Sequence, residues 1–228
     1  MKYDVIIIGA GPSGIFCAYE LIRNNPEMRI LMIEKGRAIE SRNCPKRTTK
    51  KCVGCKPCSI TTGFAGAGKL SLSPDVGGNL PEILGYDRTI ELLNEADKIY
   101  LEFGADERVY GLEDYAAIER IRTKAIRANL KLIECPIRHL GTEEGYKIYT
   151  RLQNHLMAAG VEIRFMTMVQ DIIIEDGMAK GVVTDKGETF YADEIVAGVG
   201  REGSEWFSHI CQSHGIDTKV GTVDVGVR

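Results

Sequence analysis

Long apolar runs are missing from this sequence. No segment approaches the ~18 consecutive apolar residues that a membrane-crossing helix requires. The first apolar stretch, Val5–Ile8, is too short for the core of a secretory signal and runs straight into a glycine loop. An excess of positive charge is missing as well: 29 Lys and Arg stand against 32 Asp and Glu, with a net charge of −3 and a pI of about 5.9. That balance gives no reason to expect nucleic-acid binding. The local basic run Lys46-Arg47 and Lys50-Lys51 is short and reads as a solvated loop. Histidine is scarce, and His155, His209 and His214 lie on expected helices without metal-ligand spacing to one another. There is no Ser–His–Asp constellation, internal repeat or low-complexity tract. The seven cysteines are odd in number and four of them crowd into positions 44–58, which suits metal or redox chemistry better than a secreted disulfide scaffold. The expectation is a cytoplasmic protein with no membrane segment and no nucleic-acid partner.

What is present is enough for one sizeable core: 228 residues, 44% of them hydrophobic. Residues 3–8 form a continuous apolar run bounded by glycine, the signature of a buried parallel strand. Residues 13–24 carry helical spacing, with Ile15, Ala18, Tyr19 and Ile22 on one face and Cys17 expected in the core, and residues 29–34 give a second buried strand. Residues 36–85, rich in Cys, Gly, Pro, Ser and Thr, show little periodicity and read as a long loop region of the kind that is usually functional or disordered. Residues 86–145 read as a mainly helical insertion, with helices at 89–103 and 115–128, and a further helix follows at 147–159. Val161–Phe165 is an expected strand, and residues 169–191 form an expected three-stranded antiparallel meander with turns at Asp176-Gly177 and Lys186-Gly187. Glu194–Val199 reads as a separate returning strand, and 203–214 as a helix with Trp206, Phe207, Ile210 and Cys211 inward.

Between the first strand and the first helix stands Gly9-Ala10-Gly11-Pro12-Ser13-Gly14, a G-x-G-x-x-G loop. Such a loop means little alone. Here it follows a strand, opens a helix, and is followed by an acidic residue, Glu34, 20 residues after Gly14 (34 − 14) at the end of the next strand. Gly9 permits the tight turn, Gly11 lets backbone approach a pyrophosphate, and Gly14 lets helix and strand pack closely. The helix start offers N–H groups and a favourable dipole to the diphosphate. Glu34 can accept hydrogen bonds from ribose hydroxyls. The fold class is therefore α/β, a Rossmann-like dinucleotide-binding domain with a parallel sheet, an antiparallel meander and a helical insertion.

The loop does not decide between FAD and NAD. With its meander and the closing strand that leads to Gly198–Gly200, the chain resembles the FAD-binding domain of oxidoreductases with a glutathione-reductase-like fold. In that family a valine at the position of Val169 touches the adenine through its backbone, and the glycine turn matching Gly198 and Gly200 passes the pyrophosphate.

A wider resemblance, to a bacterial family of poorly characterised FAD-dependent dehydrogenases, rests on Cys44-Pro45, Cys52-Val53-Gly54-Cys55-Lys56-Pro57-Cys58, Gly63–Gly68, Lys69-Leu70, Gly77-Gly78, Arg138–Thr142, Gly200-Arg201 and Val223–Arg228. That family's pattern has a few more residues, Ser-Asp-Gly among them, between the positions of Gly68 and Lys69. Its chain continues past the position of Arg228, so an N-terminal portion lacking most of a substrate domain is expected here. The cofactor-binding residues expected are Gly9, Gly11, Pro12, Ser13, Gly14, Glu34, Lys35, Val169, Gly198, Gly200 and Arg201. The implied activity is hydride or electron transfer through FAD, with a small-molecule substrate or electron acceptor.

The second chemical signal is Cys44-x7-Cys52-x2-Cys55-x2-Cys58. Four thiolates so placed can surround zinc or an iron–sulfur cluster, serve as redox thiols, or share no chemistry at all. Residue 62, where the ferredoxin pattern has its fourth cysteine, is Thr62, so Cys44 would have to be the fourth ligand. Gly63–Gly68 fits either a loop approaching a flavin ring or a surface loop, and His139 either a ligand-binding or a structural histidine. Two rival functions stay open at this level: a cysteine-centred metal or redox-sensing protein on a nucleotide-binding scaffold, and an NAD-binding protein using the same loop.

Overall fold

The structure, a computed structural model, describes residues 2–54, 68–219 and 221. It divides into two compact units, one made of Met1–Phe64 with Leu156–Arg228 and the other of Ala65–His155. The first unit opens with strand β1 (Lys2–Ile8), helix α1 (Pro12–Asn24) and strand β2 (Ile30–Ile33), followed by a short helix α2 (Pro45–Thr49). Ile6, Ile7, Leu31 and Met32 are fully buried. Consecutive residues buried on both faces are what a central parallel strand requires. Helix α1 buries Gly14, Ile15, Ala18, Tyr19 and Ile22. Cys17, expected in the core, is instead half-buried beside that stripe, where burial raises the thiol pKa.

The second unit holds strand β3 (Lys69–Ser71), helices α3 (Leu80–Leu84) and α4 (Tyr86–Glu102), strand β4 (Val109–Tyr110), helix α5 (Tyr115–Arg127), strand β5 (Ile137–His139) and helix α6 (Thr142–Ala158), in which the boundary between the units falls. The insertion is thus more than helical: β3, β5 and β4 form an antiparallel sheet in that order. Strands of two or three residues are too short to leave a period in the sequence. Helix α6 starts five residues before the expected position, because Gly145, a poor helix former, masks its first turns. Arg138, on the middle strand, is buried and makes a two-pronged ion pair with Asp97 (Nη2 to Oδ2 2.7 Å) while Nη1 donates to the Asp106 carbonyl. Tyr100 and Tyr149 meet edge to face, their hydroxyls 2.7 Å apart, and burial raises both pKa values.

The chain then completes the first unit with β6 (Glu162–Arg164), β7 (Val169–Glu175), β8 (Met178–Thr184), β9 (Thr189–Ala197) and α7 (Ser204–Ser213). The six-stranded sheet runs β6-β2-β1-β9-β8-β7. The last strand of the expected meander, ending at Tyr191, and the strand expected at 194–199 are one: β9 pairs antiparallel with β8 through Thr189–Tyr191 and parallel with β1 from Tyr191 to Ala197. Ala192-Asp193 looks like a break in sequence, yet the strand runs through it, with Ala192 buried and Asp193 exposed and forming an ion pair with Lys2. In α7, Ile210 and Cys211 are buried as expected, but Phe207 is exposed. Trp206 is half-buried and donates its indole N–H to the Gln170 carbonyl at 2.9 Å. No helix among the described residues is long and apolar enough to cross a membrane.

Candidate dinucleotide site

The glycines of the loop differ sharply in what surrounds them. Gly9 leaves β1 at a φ of +98°, and its N–H donates to the Ile33 carbonyl at 2.8 Å. A methyl on Gly9 would lie 2.6 Å from the Gly198 carbonyl oxygen, and one on Gly14 would lie 2.0 Å from the Gly9 oxygen and 3.2 Å from Ile7 Cγ2. Gly198 in turn donates its N–H to the Ile8 carbonyl at 2.8 Å. These three residues lock the start of α1 against the ends of β1 and β9. Gly11 is different. Its backbone is extended (φ −78°, ψ 179°) and a methyl there would meet nothing within 4 Å. The fold does not need glycine at this position; the open space beside it is where a bulky anionic group can come close to backbone.

The start of α1 faces the same way. Gly11 is its N-cap and Pro12 its first residue, no side chain caps it, and its first turn holds no acidic residue. Pro12 and Ser13 are exposed. The N–H groups of the first turn and the dipole behind them are left to a ligand.

Glu34 follows β2 and is 3% exposed. One carboxylate oxygen accepts the Ala10 N–H at 2.8 Å and the other accepts the Gly36 N–H. A carboxylate offers about four lone-pair sites, so two remain for ribose hydroxyls. The Glu34 backbone also accepts from Thr167 N–H at 3.1 Å and donates to Arg164 at 2.8 Å. That holds the approach to Val169, the buried first residue of β7, beside Glu34. Lys35 Nζ stands 3.5 Å from Glu202, which follows the exposed Arg201 in the turn after Gly200. Gly200 takes a φ of +59° with open space around it, so there the glycine answers to the backbone angle. The loop, Glu34, Lys35, Gly198, Gly200 and Arg201 therefore gather beyond the carboxyl ends of β1, β2 and β9, the place where open α/β sheets bind ligands. The residues present fit a dinucleotide with a diphosphate and a ribose.

Sequence reasoning missed Ala10, Gly36 and Thr167 as partners of Glu34. Backbone donors carry no residue signature, and only the spacing of Gly36 from Glu34 could have suggested one of them. Of the cysteine set, Cys44 is half-buried just before α2 and Cys52 is exposed, while Cys55 and Cys58 lie outside the described residues, as do residues 63–67 of the glycine stretch. No group of three metal-ligating side chains occurs among the described residues.

Comparison with known proteins follows the same lines. Residues 109–225, just over half of the chain, match the family model described as pyridine nucleotide-disulphide oxidoreductase, and residues 1–40 match the Thi4 family. The chain is 24% identical over 201 residues to the tRNA uridine 5-carboxymethylaminomethyl modification enzyme MnmG of Streptococcus pyogenes, covering 87% of this chain and 24% of that protein. It thus spans about a quarter of the length of that relative. Among solved structures, L-proline dehydrogenase from P. horikoshii shares the fold with a TM-score of 0.53 at 17% identity, over 96% of this chain and 57% of that one. L-amino acid deaminase from Proteus vulgaris does so with a TM-score of 0.52 at 14% identity, over 95% and 50%.

Proposed function

The chain belongs to the pyridine nucleotide-disulphide oxidoreductase family, and from that membership we propose that it is an FAD-dependent oxidoreductase whose first unit holds the adenosine diphosphate half of the cofactor. The observation that carries this reading is the contrast between Gly11 and its neighbours. Gly9 and Gly14 are glycines because backbone crowds them; Gly11 is a glycine beside open space, which a ligand explains and packing does not. FAD is favoured over NAD by the β7–β8–β9 meander joined to the parallel sheet and by the resemblance to flavin-dependent dehydrogenases.

Bound flavin supplies the two-electron chemistry, while the protein binds, orients and tunes it. The α1 start and the Gly11 backbone receive the diphosphate. Glu34, already fixed by Ala10 and Gly36, receives the ribose, and Val169 borders the adenine. The substrate or electron acceptor is a small molecule, and the protein works in the cytoplasm. Absorbance of the protein purified without added cofactor is the direct test, followed by titration with FAD. A flavin spectrum, and FAD affinity lowered at least a hundredfold in Gly11→Val without loss of folding, are the expected results. A colourless protein that takes up NAD in place of FAD would overturn the flavin reading.

A further inference from the structure

The small sheet of the second unit has two faces, and they treat positive charge in opposite ways. On one face Arg138 is buried and answered by Asp97. On the other, the register sets Lys69 directly opposite His139 across β3 and β5. Val109 pairs with Arg138 and Tyr110 with Ile137, so Arg108 continues the row beyond His139. The ring contacts agree: the Tyr110 ring meets His139 edge to face at 6.2 Å, and the Arg108 guanidinium lies over the same ring at 4.5 Å. Lys69, His139 and Arg108 are all exposed. Arg108 is engaged by Glu113 at 2.8 Å. Among the described residues, neither Lys69 nor His139 has an acidic partner.

Basic groups directly opposite one another on a sheet weaken the pairing. A row of them retained on one face, beside an aromatic ring, is explained by an anion that neutralises it. We propose that this face of the β3–β5–β4 sheet is a binding site for a small molecule carrying an oxyanion group, a carboxylate or a phosphate, with a planar or apolar part. Lys69 and His139 hold the anion by charge-assisted hydrogen bonds, and Tyr110 with Ile137 forms the floor for the rest. Neighbouring strands are about 4.8 Å apart, so Lys69 and His139 can reach one anionic group together. The assignment of the face as a binding site stands by itself; calling its ligand the substrate rests on the oxidoreductase reading.

Isothermal titration with benzoate and, separately, inorganic phosphate tests it, using the 228-residue chain. Saturable binding of at least one of the two probes is expected, weakened at least tenfold in Lys69→Met and in His139→Gln and left unchanged in Gly11→Val. Tyr110→Leu should weaken benzoate several-fold and leave phosphate alone. The ratio of the two affinities in the unaltered protein tells carboxylate from phosphate. Thermal melts and the Lys69→Glu variant guard against a folding artefact, since Lys69 is exposed and its charge reversal should abolish binding in a folded protein. Binding of wild-type strength in Lys69→Met and His139→Gln, or absence of saturable binding of either probe, would overturn the proposal. Loss in Gly11→Val alone would place the anion in the glycine loop instead. Displacement of the probe by transfer RNA at far lower concentration would reassign the face to nucleic acid. FAD titration in parallel keeps the two readings apart: a protein that takes up benzoate but no FAD sinks the flavin assignment and leaves this one intact.

Discussion

The two candidate sites are built from different material. In the first unit, backbone makes the site: glycines at 9, 11 and 14, N–H groups at a helix start, and one carboxylate pinned by two more N–H groups. In the second unit, side chains make it, and they come from Lys69, Arg108, Tyr110 and His139, brought together only by strand register. A backbone site needs a tight local segment and therefore announces itself in a short motif. A side-chain site on a sheet needs cross-strand neighbours, which are far apart in the chain and leave no local pattern.

The sharpest way to break this comparison is to add a side chain where backbone is crowded. Gly14→Val places a branched side chain 2.0 Å from the Gly9 carbonyl and should destabilise the first unit by more than about 4 kcal/mol. A melting temperature close to that of the unaltered protein would show that the interlock is absent. The second unit should fail in the opposite way, by subtraction. Arg138→Met leaves Asp97 with little solvent and no cation, at a cost of about 3–5 kcal/mol in denaturant unfolding. Arg138→Met combined with Asp97→Leu should regain most of it, because the desolvated charge is then gone. Additive losses in the double variant would refute the pairing.

Alkaline titration sets the units side by side. Burial, with the hydrogen bond to Glu162, pushes Tyr3 up to about 12 from the usual 10. The unfolded chain then loses its proton first, so stability is whole below pH 10 and falls between about 10 and 12. Tyr3 alone contributes up to about 2 kcal/mol of that fall, after discount for the partial exposure of its hydroxyl. In the second unit Tyr100 and Tyr149 are raised in the same sense. Tyr3→Phe should remove its share of the first unit's alkaline loss, leaving that of Cys17 and of the second unit, and Tyr149→Phe should diminish the latter; an unchanged pH profile in both would contradict these assignments. Smaller still, Glu34→Gln should weaken FAD by about tenfold, the lower end of the value of a charged hydrogen bond, since an amide NH2, a donor, replaces one of two acceptor oxygens. Equal affinity in fluorescence titration would remove Glu34 from the site. The smallest effect expected is on the stability of Gly11→Ala, within about 0.5 kcal/mol, because its methyl points into open space. A loss of several kcal/mol would mean that Gly11 is structural after all.

Legibility divides along the same line. β1, α1 and β2 were readable because a buried parallel strand is a continuous apolar run and an amphipathic helix has a period; the place of Glu34 beside the glycine loop was readable because the geometry of the strand–helix–strand unit sets its interval, while its contact with ribose belongs to the proposal. The meander was readable from Asp176-Gly177 and Lys186-Gly187, both of whose glycines take positive φ. The continuity of β9 was not, because Ala192-Asp193 breaks the apolar pattern between Tyr191 and Glu194 and only the pairing with β1 shows that the strand runs through. Strands β3, β4 and β5 are shorter than one alternation, so nothing marked Lys69 and His139 as neighbours. Phe207 misled for a related reason: helical spacing shows which residues share a face, and it cannot show where that face ends.

The position of β9 also governs how the larger sheet can be assembled. β1 and β2 find each other across one helix, but the other edge of β1 is closed by residues 189 positions later (191 − 2), Lys2 against Tyr191 and Ile8 against Ala197. At synthesis rates of about 5–20 residues per second, that edge waits about 10–40 s for its partner. Throughout that wait Ile6, Ile7 and Ile8 offer unpaired backbone along an apolar strand, a template for pairing with the wrong chain. Non-local closure of this kind folds late and slowly. The demand for protection during biosynthesis is therefore set by sheet topology, and it would persist in a variant that had lost every ligand contact.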